Sequence, residues 1–175
     1  MTQAQFGNLL SKLRFADILQ YVAIPQIEIE MGTTGPAAQR ESRLKGRSSK
    51  PLGEARSDFF HVFESLRKKG VNTILNVMVD DGLAVSHSDE AIENALRGMG
   101  VEIWDWKRTD LCSEVIYNVA PKVREVSLYW SGNNAVLRGW SEPGGLKRLR
   151  DLKVVRLNVQ HVRRTLIQPV PDKSN

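Results

Sequence analysis

Residues 123–130, Val-Arg-Glu-Val-Ser-Leu-Tyr-Trp, and residues 152–159, Leu-Lys-Val-Val-Arg-Leu-Asn-Val, decide the fold. In both segments an apolar residue is followed three positions later by valine and two positions after that by leucine. This order is close to the strand segment of a leucine-rich repeat. Apolar residues also alternate in two earlier segments, as they do in β-strands. The sequence therefore predicts four strands, over residues 73–81, 101–106, 124–130 and 154–159.

Each predicted strand follows a segment in which apolar residues have helical spacing. Serine is a common N-cap, and a serine stands at the start of every one of these segments. The four serines are Ser57, Ser88, Ser113 and Ser141. The last predicted helix carries Leu146, Leu149 and Leu152. Helices and strands therefore alternate along this part of the chain.

The strand–helix units recur at a nearly constant interval. Their central strand residues are Val77, Ile103, Leu128 and Leu157, which lie 26, 25 and 29 residues apart. Leucine-rich repeats have periods of about 20–29 residues. A single unit cannot bury its apolar strand alone, so the units must stack or share a sheet, with right-handed crossovers. We predict an α/β fold of repeated strand–helix units, either a leucine-rich-repeat-like solenoid or a small parallel sheet.

The remaining segments differ in composition. Helical spacing of apolar residues over 6–22 predicts an N-terminal helix, which together with a short strand makes up residues 1–30. Residues 31–56 are rich in glycine, proline and arginine and poor in apolar residues, which predicts a flexible basic linker. The repeat-like α/β domain then spans 57–160, and residues 161–175 form a polar tail.

The composition is that of a globular protein, since 41% of the 175 residues are apolar and 26% are charged. No apolar run approaches the ~20 residues of a membrane-spanning helix, and the N-terminus lacks a secretory signal pattern, so no membrane association is predicted. Cys112 is the one cysteine and cannot form an internal disulfide. We expect a buried, inert thiol and an intracellular, cytoplasmic location.

The net charge of +5 is unevenly distributed. Residues 1–70 carry 11 basic and 7 acidic side chains, residues 71–130 carry 5 and 10, and residues 131–175 carry 9 and 3, which gives +4, −5 and +6. Nucleic-acid-binding domains usually carry a basic surface. The acidic middle segment argues against a uniformly basic surface. Nucleic-acid binding through residues 40–56 and 147–164 is therefore an alternative that we do not favour.

Several longer phrases resemble a known family. They cover residues 86–93, 101–107, 110–114, 128–138 and 139–143, and the longest reads Leu-Tyr-Trp-Ser-Gly-Asn-Asn-Ala-Val-Leu-Arg. Together they resemble the region that precedes the protease domain in fungal subtilisin-like (peptidase S8 type) proteins. The resemblance implies that hydrolysis belongs to a separate downstream domain with an Asp/His/Ser triad. No catalytic residue of that family can be placed on this sequence.

The residues themselves supply no convincing catalytic set. Ser86, His87, Ser88 and Asp89 are consecutive, and adjacent side chains rarely converge on one reacting atom. No Gly-x-Ser-x-Gly elbow is present. A helix N-cap at Ser88 explains the presence of these residues equally well. We therefore predict no enzymatic activity and no cofactor.

Three carboxylates and a glycine pair are candidate ligand sites. Asp80, Asp81 and Asp105 lie at the ends of two predicted strands, where oxygen ligands could hold Mg²⁺ or Ca²⁺. Aspartate also commonly ends strands and begins turns. Gly144 and Gly145 open a predicted helix but lack the Lys-Ser/Thr of a phosphate-binding loop. We predict no metal site and no phosphate site.

The strand alternation predicts an interaction face. If Val101 and Ile103 face the helices, every second residue points to the opposite side of the sheet. The candidate face consists of Glu102, Trp104, Trp106, Tyr129, Arg156 and Asn158. Exposed aromatic and arginine side chains are typical of binding hot spots. The alternative is that a second layer, such as the N-terminal helix, covers them.

These observations favour a non-catalytic, intracellular protein-interaction module with a protein partner. The leading alternative is a part of a subtilisin-like serine endopeptidase whose catalytic domain is absent from this chain. The sequence does not specify the partner or the oligomeric state.

Overall fold

The computed structural model describes residues 8, 12–26, 56, 58–82 and 85–159. Five strands lie within these residues: β1 (Ile18–Ile24), β2 (Thr73–Val79), β3 (Ile103–Thr109), β4 (Glu125–Trp130) and β5 (Val154–Val159). The helices are α1 (Asp58–Lys68), α2 (Asp89–Leu96), α3 (Ser113–Val119) and α4 (Asn134–Ser141), followed by a 3₁₀ turn at Leu146–Arg148.

The five strands form one sheet in the order β1-β2-β3-β4-β5, and every neighbouring pair is parallel. Each strand is therefore added next to the strand that precedes it in sequence. α1 packs on α2, α2 on α3, and α3 on the 3₁₀ turn, so the helices lie side by side along one face of the sheet. The predicted α/β fold with parallel strands is confirmed.

The core lies between the sheet and this layer of helices. Trp104 and Trp106 of β3 are buried, and Val126 of β4 pairs with Trp104 and is buried as well. Paired residues of neighbouring strands point to the same side of a sheet. Phe59 and Phe63 of α1, in the helix layer, make ring contacts with Trp106. The helix-facing side of the strands is therefore apolar and closed.

The prediction of a helix over residues 6–22 is wrong in its second half. Residues 12–17 are irregular, and Ile18–Ile24 forms β1, which pairs with β2. Leu19 and Val22 pack against the core from this strand. The three-residue spacing of Leu19 and Val22 is helical, and pairing with β2 overrides this local preference. Most of the predicted linker and all of the polar tail lie outside the described residues.

The last helix lies earlier in the chain than predicted. α4 is capped by Asn133, whose side-chain oxygen accepts a hydrogen bond from a backbone N–H of the first turn. The helix expected from Ser141 onward is absent, and the 3₁₀ turn occupies its place. The chain bends back on α4 at Gly145, where a Cβ atom would lie 2.3 Å from the carbonyl oxygen of Gly139. Glycine is required at this approach, and the bend interrupts the helical spacing.

The caps of α2 and α3 test two further predictions. Ser88 caps α2, because its Oγ accepts a hydrogen bond from Ala91 N at 3.1 Å, as predicted. α3 has Cys112 rather than Ser113 at the N-cap, without a side-chain capping bond. Cys112 is exposed, so the expectation of a buried thiol is wrong.

Candidate functional site

A cluster of buried polar side chains lies at the carboxyl ends of β2 and β3. Asp81 follows β2, His87 lies just before α2, and Arg56 lies just before α1. Their exposed fractions are 1%, 1% and 8%. Arg56 and His87 form an isolated parallel bridge, which brings the start of α1 to this edge of the sheet. Parallel α/β proteins bind ligands at this edge, so the cluster is the first candidate for a functional site.

Asp81 is the acceptor at the centre of the cluster. Its Oδ1 accepts from Nδ1 of His87 at 2.8 Å, and its Oδ2 accepts from the backbone N of His87 at 3.0 Å and from Nε1 of Trp106 at 3.0 Å. Nη1 of Arg56 lies 3.8 Å from Oδ1. A buried carboxylate needs this many donors to offset the loss of its hydration. Asp81 therefore ties the segment before α2, the start of α1 and β3 to one another.

His87 uses both of its ring nitrogens within the fold. Its Nε2 accepts a hydrogen bond from Phe59 N at 3.2 Å, so the ring proton lies on Nδ1 and is donated to Asp81. The ring also stacks on Phe59, with centroids 4.1 Å apart. The Phe59 N–H is one of the unpaired donors in the first turn of α1, and His87 satisfies it. Neither nitrogen is available to a substrate in this arrangement.

The consecutive residues Ser86 to Asp89 do not converge. Ser88 is engaged as the cap of α2, His87 points into the core, and Asp89 forms an ion pair with Arg108. A nucleophile–base hydrogen bond would need a serine hydroxyl on His87 Nε2, and Phe59 N occupies that position. The interpretation of Ser88 as a helix cap is confirmed.

The three aspartates weighed as metal ligands also diverge. Asp81 belongs to the buried cluster, and Asp80 accepts from Gly82 N and lies 3.5 Å from Lys107 Nζ. Asp105 accepts a hydrogen bond from the Tyr129 hydroxyl at 2.7 Å. Within the described ranges, no group of three or more His, Cys, Asp or Glu side chains is placed to hold a metal ion.

Trp104 and Trp106 are not part of an exposed face, contrary to the sequence prediction. Their exposed fractions are 0% and 1%, and both lie under the helices. The prediction took Val101 as the first helix-facing strand residue. Val101 is buried, but it precedes β3, which begins at Ile103. The alternation within the strand therefore runs in the opposite phase, with Ile103 on the side away from the helices.

The side of the sheet away from the helices is covered by no element that the structure describes, and we call it the open face. The alternation and the strand pairing assign side chains of β2, β3, β4 and β5 to it. They include Asn76, Met78, Ile103, Asp105, Lys107, Glu125, Ser127, Tyr129, Val154, Arg156 and Asn158. Three of the six predicted interaction residues, Tyr129, Arg156 and Asn158, thus lie on this face as predicted.

Polar contacts order the open face. The Tyr129–Asp105 hydrogen bond joins β4 to β3, and the Arg156–Glu125 ion pair of 2.7 Å joins β5 to β4. Burial and the bond to Asp105 raise the pKa of the Tyr129 hydroxyl well above its usual range, so the group remains a neutral donor. Glu102, the remaining predicted residue, precedes β3 and pairs with Arg124 at 3.3 Å.

Sequence reasoning missed Met78, Ile103, Asp105 and Lys107 on the open face. The tryptophans carried the signal that could have found them. Two tryptophans at alternate positions of a parallel strand are more easily covered than exposed, because each buries a large apolar area. Placing Trp104 in the core reverses the phase of β3 and puts Ile103, Asp105 and Lys107 on the open face, where Met78 of β2 pairs with Asp105.

A shallow depression of about 270 Å³ lies on the helix layer between α1 and α2. It is lined by Phe60, His61, Ser88, Glu90, Ala91 and Asn94. His61 pairs with Glu64 at 3.6 Å within α1, and Ser88 is engaged as a cap. Two of its polar side chains, His61 and Ser88, are thus engaged within the helix layer.

No family model, curated protein or solved structure matches the chain. The resemblance to the region preceding the protease domain in fungal subtilisin-like proteins therefore stays a prediction. None of the described helices combines the length and the apolar composition that are needed to cross a bilayer.

Proposed function

We propose that this chain is a non-catalytic protein-interaction module that binds a partner protein on the open face of its sheet. The observation that carries the proposal is the one-sided architecture. The described helices lie on one face of the sheet, while the opposite face presents half-buried side chains that no other described residue covers. Sequential parallel strands with helices on one side are the arrangement of leucine-rich-repeat solenoids, whose open face is the binding surface. We therefore propose that the chain is a leucine-rich-repeat-like solenoid.

The chemistry of the open face supports a protein ligand. Met78, Ile103 and Tyr129 supply apolar and aromatic area in its centre, and Lys107 and Arg156 supply cations at its sides. Interfaces commonly combine aromatic, methionine and arginine contacts with a polar rim. The Tyr129–Asp105 and Arg156–Glu125 contacts hold these groups in place before a partner arrives, which lowers the entropy lost on binding.

The closed state of the buried cluster supports the non-catalytic part of the proposal. Among the described residues, His87 and Asp81 are the pair that most resembles a catalytic acid–base pair. His87 bonds Asp81 and accepts from Phe59 N, and Asp81 also accepts from Trp106 Nε1. A general base must reach the proton that it abstracts. The pair therefore stabilises the fold around α1 rather than facing a substrate.

The test compares two double variants of the full chain. Tyr129→Ala with Lys107→Glu alters the open face, and Tyr117→Ala with Lys122→Glu makes the same chemical change on the helix side. Wild type and both variants are used as bait, and a partner recovered by the wild type is purified and titrated against each. We expect the affinity to fall at least tenfold, about 1.4 kcal/mol, for the open-face variant. The helix-side variant is expected to bind as the wild type does.

Three outcomes would contradict the proposal. Equal binding by both variants, or equal loss by both, would remove the open face as the site. Salt-dependent retention of polynucleotides that the open-face variant leaves unchanged would favour nucleic-acid binding instead. Cleavage of casein by the purified chain would contradict the non-catalytic part of the proposal.

A further inference from the structure

β5 is an edge strand with an unusual surface. All six residues of Val154–Val159 are exposed, and Val155, Leu157 and Val159 have exposed fractions of 45%, 44% and 50%. Natural edge strands are usually protected by charged side chains, by proline, by a bulge or by a covering element, and the one charged residue of β5, Arg156, is paired with Glu125 of β4. β5 contains no proline and pairs with β4 in an unbroken register, and none of the described elements covers its outer edge.

The hydrogen bonds to β4 fix which backbone groups of β5 point outward. Val154 N donates to the Arg124 carbonyl oxygen at 3.1 Å, so Val154 directs its backbone groups toward β4. Alternate residues of a strand direct their N–H and C=O groups to opposite neighbours. Val155, Leu157 and Val159 therefore direct theirs away from the sheet. The same three residues carry the exposed apolar side chains on the helix side.

This pattern is self-complementary. If a second β5 lies antiparallel with a twofold axis at Leu157, then Leu157 faces Leu157 of the other copy and Val155 faces its Val159. All three outward-pointing residues then pair with residues that also point outward, so that their N–H and C=O groups are matched. On the opposite side of the sheet, Arg156 faces Asn158, and no two like charges stand directly opposite each other.

We propose that two copies of this chain associate through β5, which forms an antiparallel pair centred on Leu157 and joins the two sheets into one of ten strands. The interface is the twofold, self-complementary kind that closes after two subunits. Its apolar contacts lie on the side opposite the open face, since Val155, Leu157 and Val159 point to the helix side, where Leu157 pairs with the core residue Leu128, and only Arg156 and Asn158 of the open face adjoin it.

The first test is the mass of the full chain in solution. We expect twice the chain mass of 19.7 kDa, in an equilibrium that sedimentation velocity resolves over a concentration series. Leu157→Lys places two cations opposite each other and is expected to shift the midpoint concentration at least tenfold higher, toward monomer. Leu137→Lys is the matched control, because Leu137 is a 37% exposed leucine on α4 outside the proposed interface.

The second test fixes the register. In a Cys112→Ser background, Leu157→Cys places two thiols on directly opposed residues, about 5.5 Å apart between Cα atoms, which is within disulfide range. Asn158→Cys faces Arg156 instead, and its two copies are diagonal neighbours about 7–8 Å apart. Mild oxidation should therefore cross-link the Leu157→Cys variant and leave the Asn158→Cys variant largely monomeric on a non-reducing gel.

Each alternative occupant of the edge gives a result that overturns the proposal. A monomeric wild type, in which Leu157→Cys resists alkylation, would mean that another part of the same chain covers β5. Oligomers that keep growing with concentration would indicate head-to-tail pairing with β1. Equal cross-linking of both cysteine variants would exclude the twofold register at Leu157.

Discussion

Replacement of Trp106 by alanine is expected to lower the free energy of unfolding by about 5 kcal/mol or more. Truncating a fully buried tryptophan costs about 3–5 kcal/mol, because transfer energy is lost and a cavity remains. Trp106 is 1% exposed and contacts Phe59, Phe63 and Trp104 through its rings. Its Nε1 also donates to Asp81, and removing a donor from a buried acceptor adds about 1–3 kcal/mol. Urea unfolding measures the change.

Two controls separate the causes. Trp106→Phe keeps most of the ring volume and removes the donor, so it is expected to cost about 1–3 kcal/mol. Tyr129→Ala truncates a half-buried aromatic on the open face and is expected to cost clearly less than Trp106→Ala. A melting temperature of Trp106→Ala close to that of the wild type would place the tryptophan on an exposed surface and contradict the face assignment.

Replacement of Asp81 by alanine is expected to cost about 3–5 kcal/mol, since it leaves buried partners without their acceptor. The donors that lose it are His87 N and Nδ1 and Trp106 Nε1, with Arg56 close by. Asp80→Ala is the matched control. Its side chain is half-exposed, and its contact with Lys107 is a surface ion pair worth about 0–1 kcal/mol. Thermal unfolding of both variants gives the comparison.

The pattern of the Asp81 result matters as much as its size. We expect His87→Ala to be destabilising and only partly additive with Asp81→Ala, because the two residues share a hydrogen bond. A wild-type melting temperature in Asp81→Ala would mean that the cluster does not hold α1 and β3 together. The pair would then become a candidate for catalysis again.

The sequence predicted four of the five strands and their parallel direction, because each strand has a clear apolar alternation between short helices. β2 and β5 were placed within two residues of their observed ends. β1 was not predicted, since Leu19 and Val22 have helical spacing and not the alternation of a strand. The choice between them depends on contacts with β2, which lies about fifty residues later in the chain.

Part of the candidate site could not be predicted from patterns of neighbouring residues in the sequence. The cluster joins Arg56, Asp81, His87 and Trp106, and Trp106 Nε1 bonds a carboxylate 25 positions earlier in the sequence. No spacing rule connects such positions before the strand order is known. The predicted side of the sheet is correct for Tyr129, Arg156 and Asn158, because β4 and β5 begin within one residue of their predicted positions, and their role in binding stays a prediction. The tryptophans were misplaced because the phase of β3 was taken from Val101, outside the strand.

An open binding face is tested most directly by hydroxyl-radical footprinting of the wild-type chain, read residue by residue by mass spectrometry. Methionine, tyrosine and tryptophan are all reactive, so protection reports burial. The predicted result is modification of Tyr21, Met78 and Tyr129, with Trp104 and Trp106 protected until the chain unfolds. Protection of Met78 and Tyr129 to the level of the tryptophans would show that a second layer covers the sheet, and would contradict an open face that binds a partner.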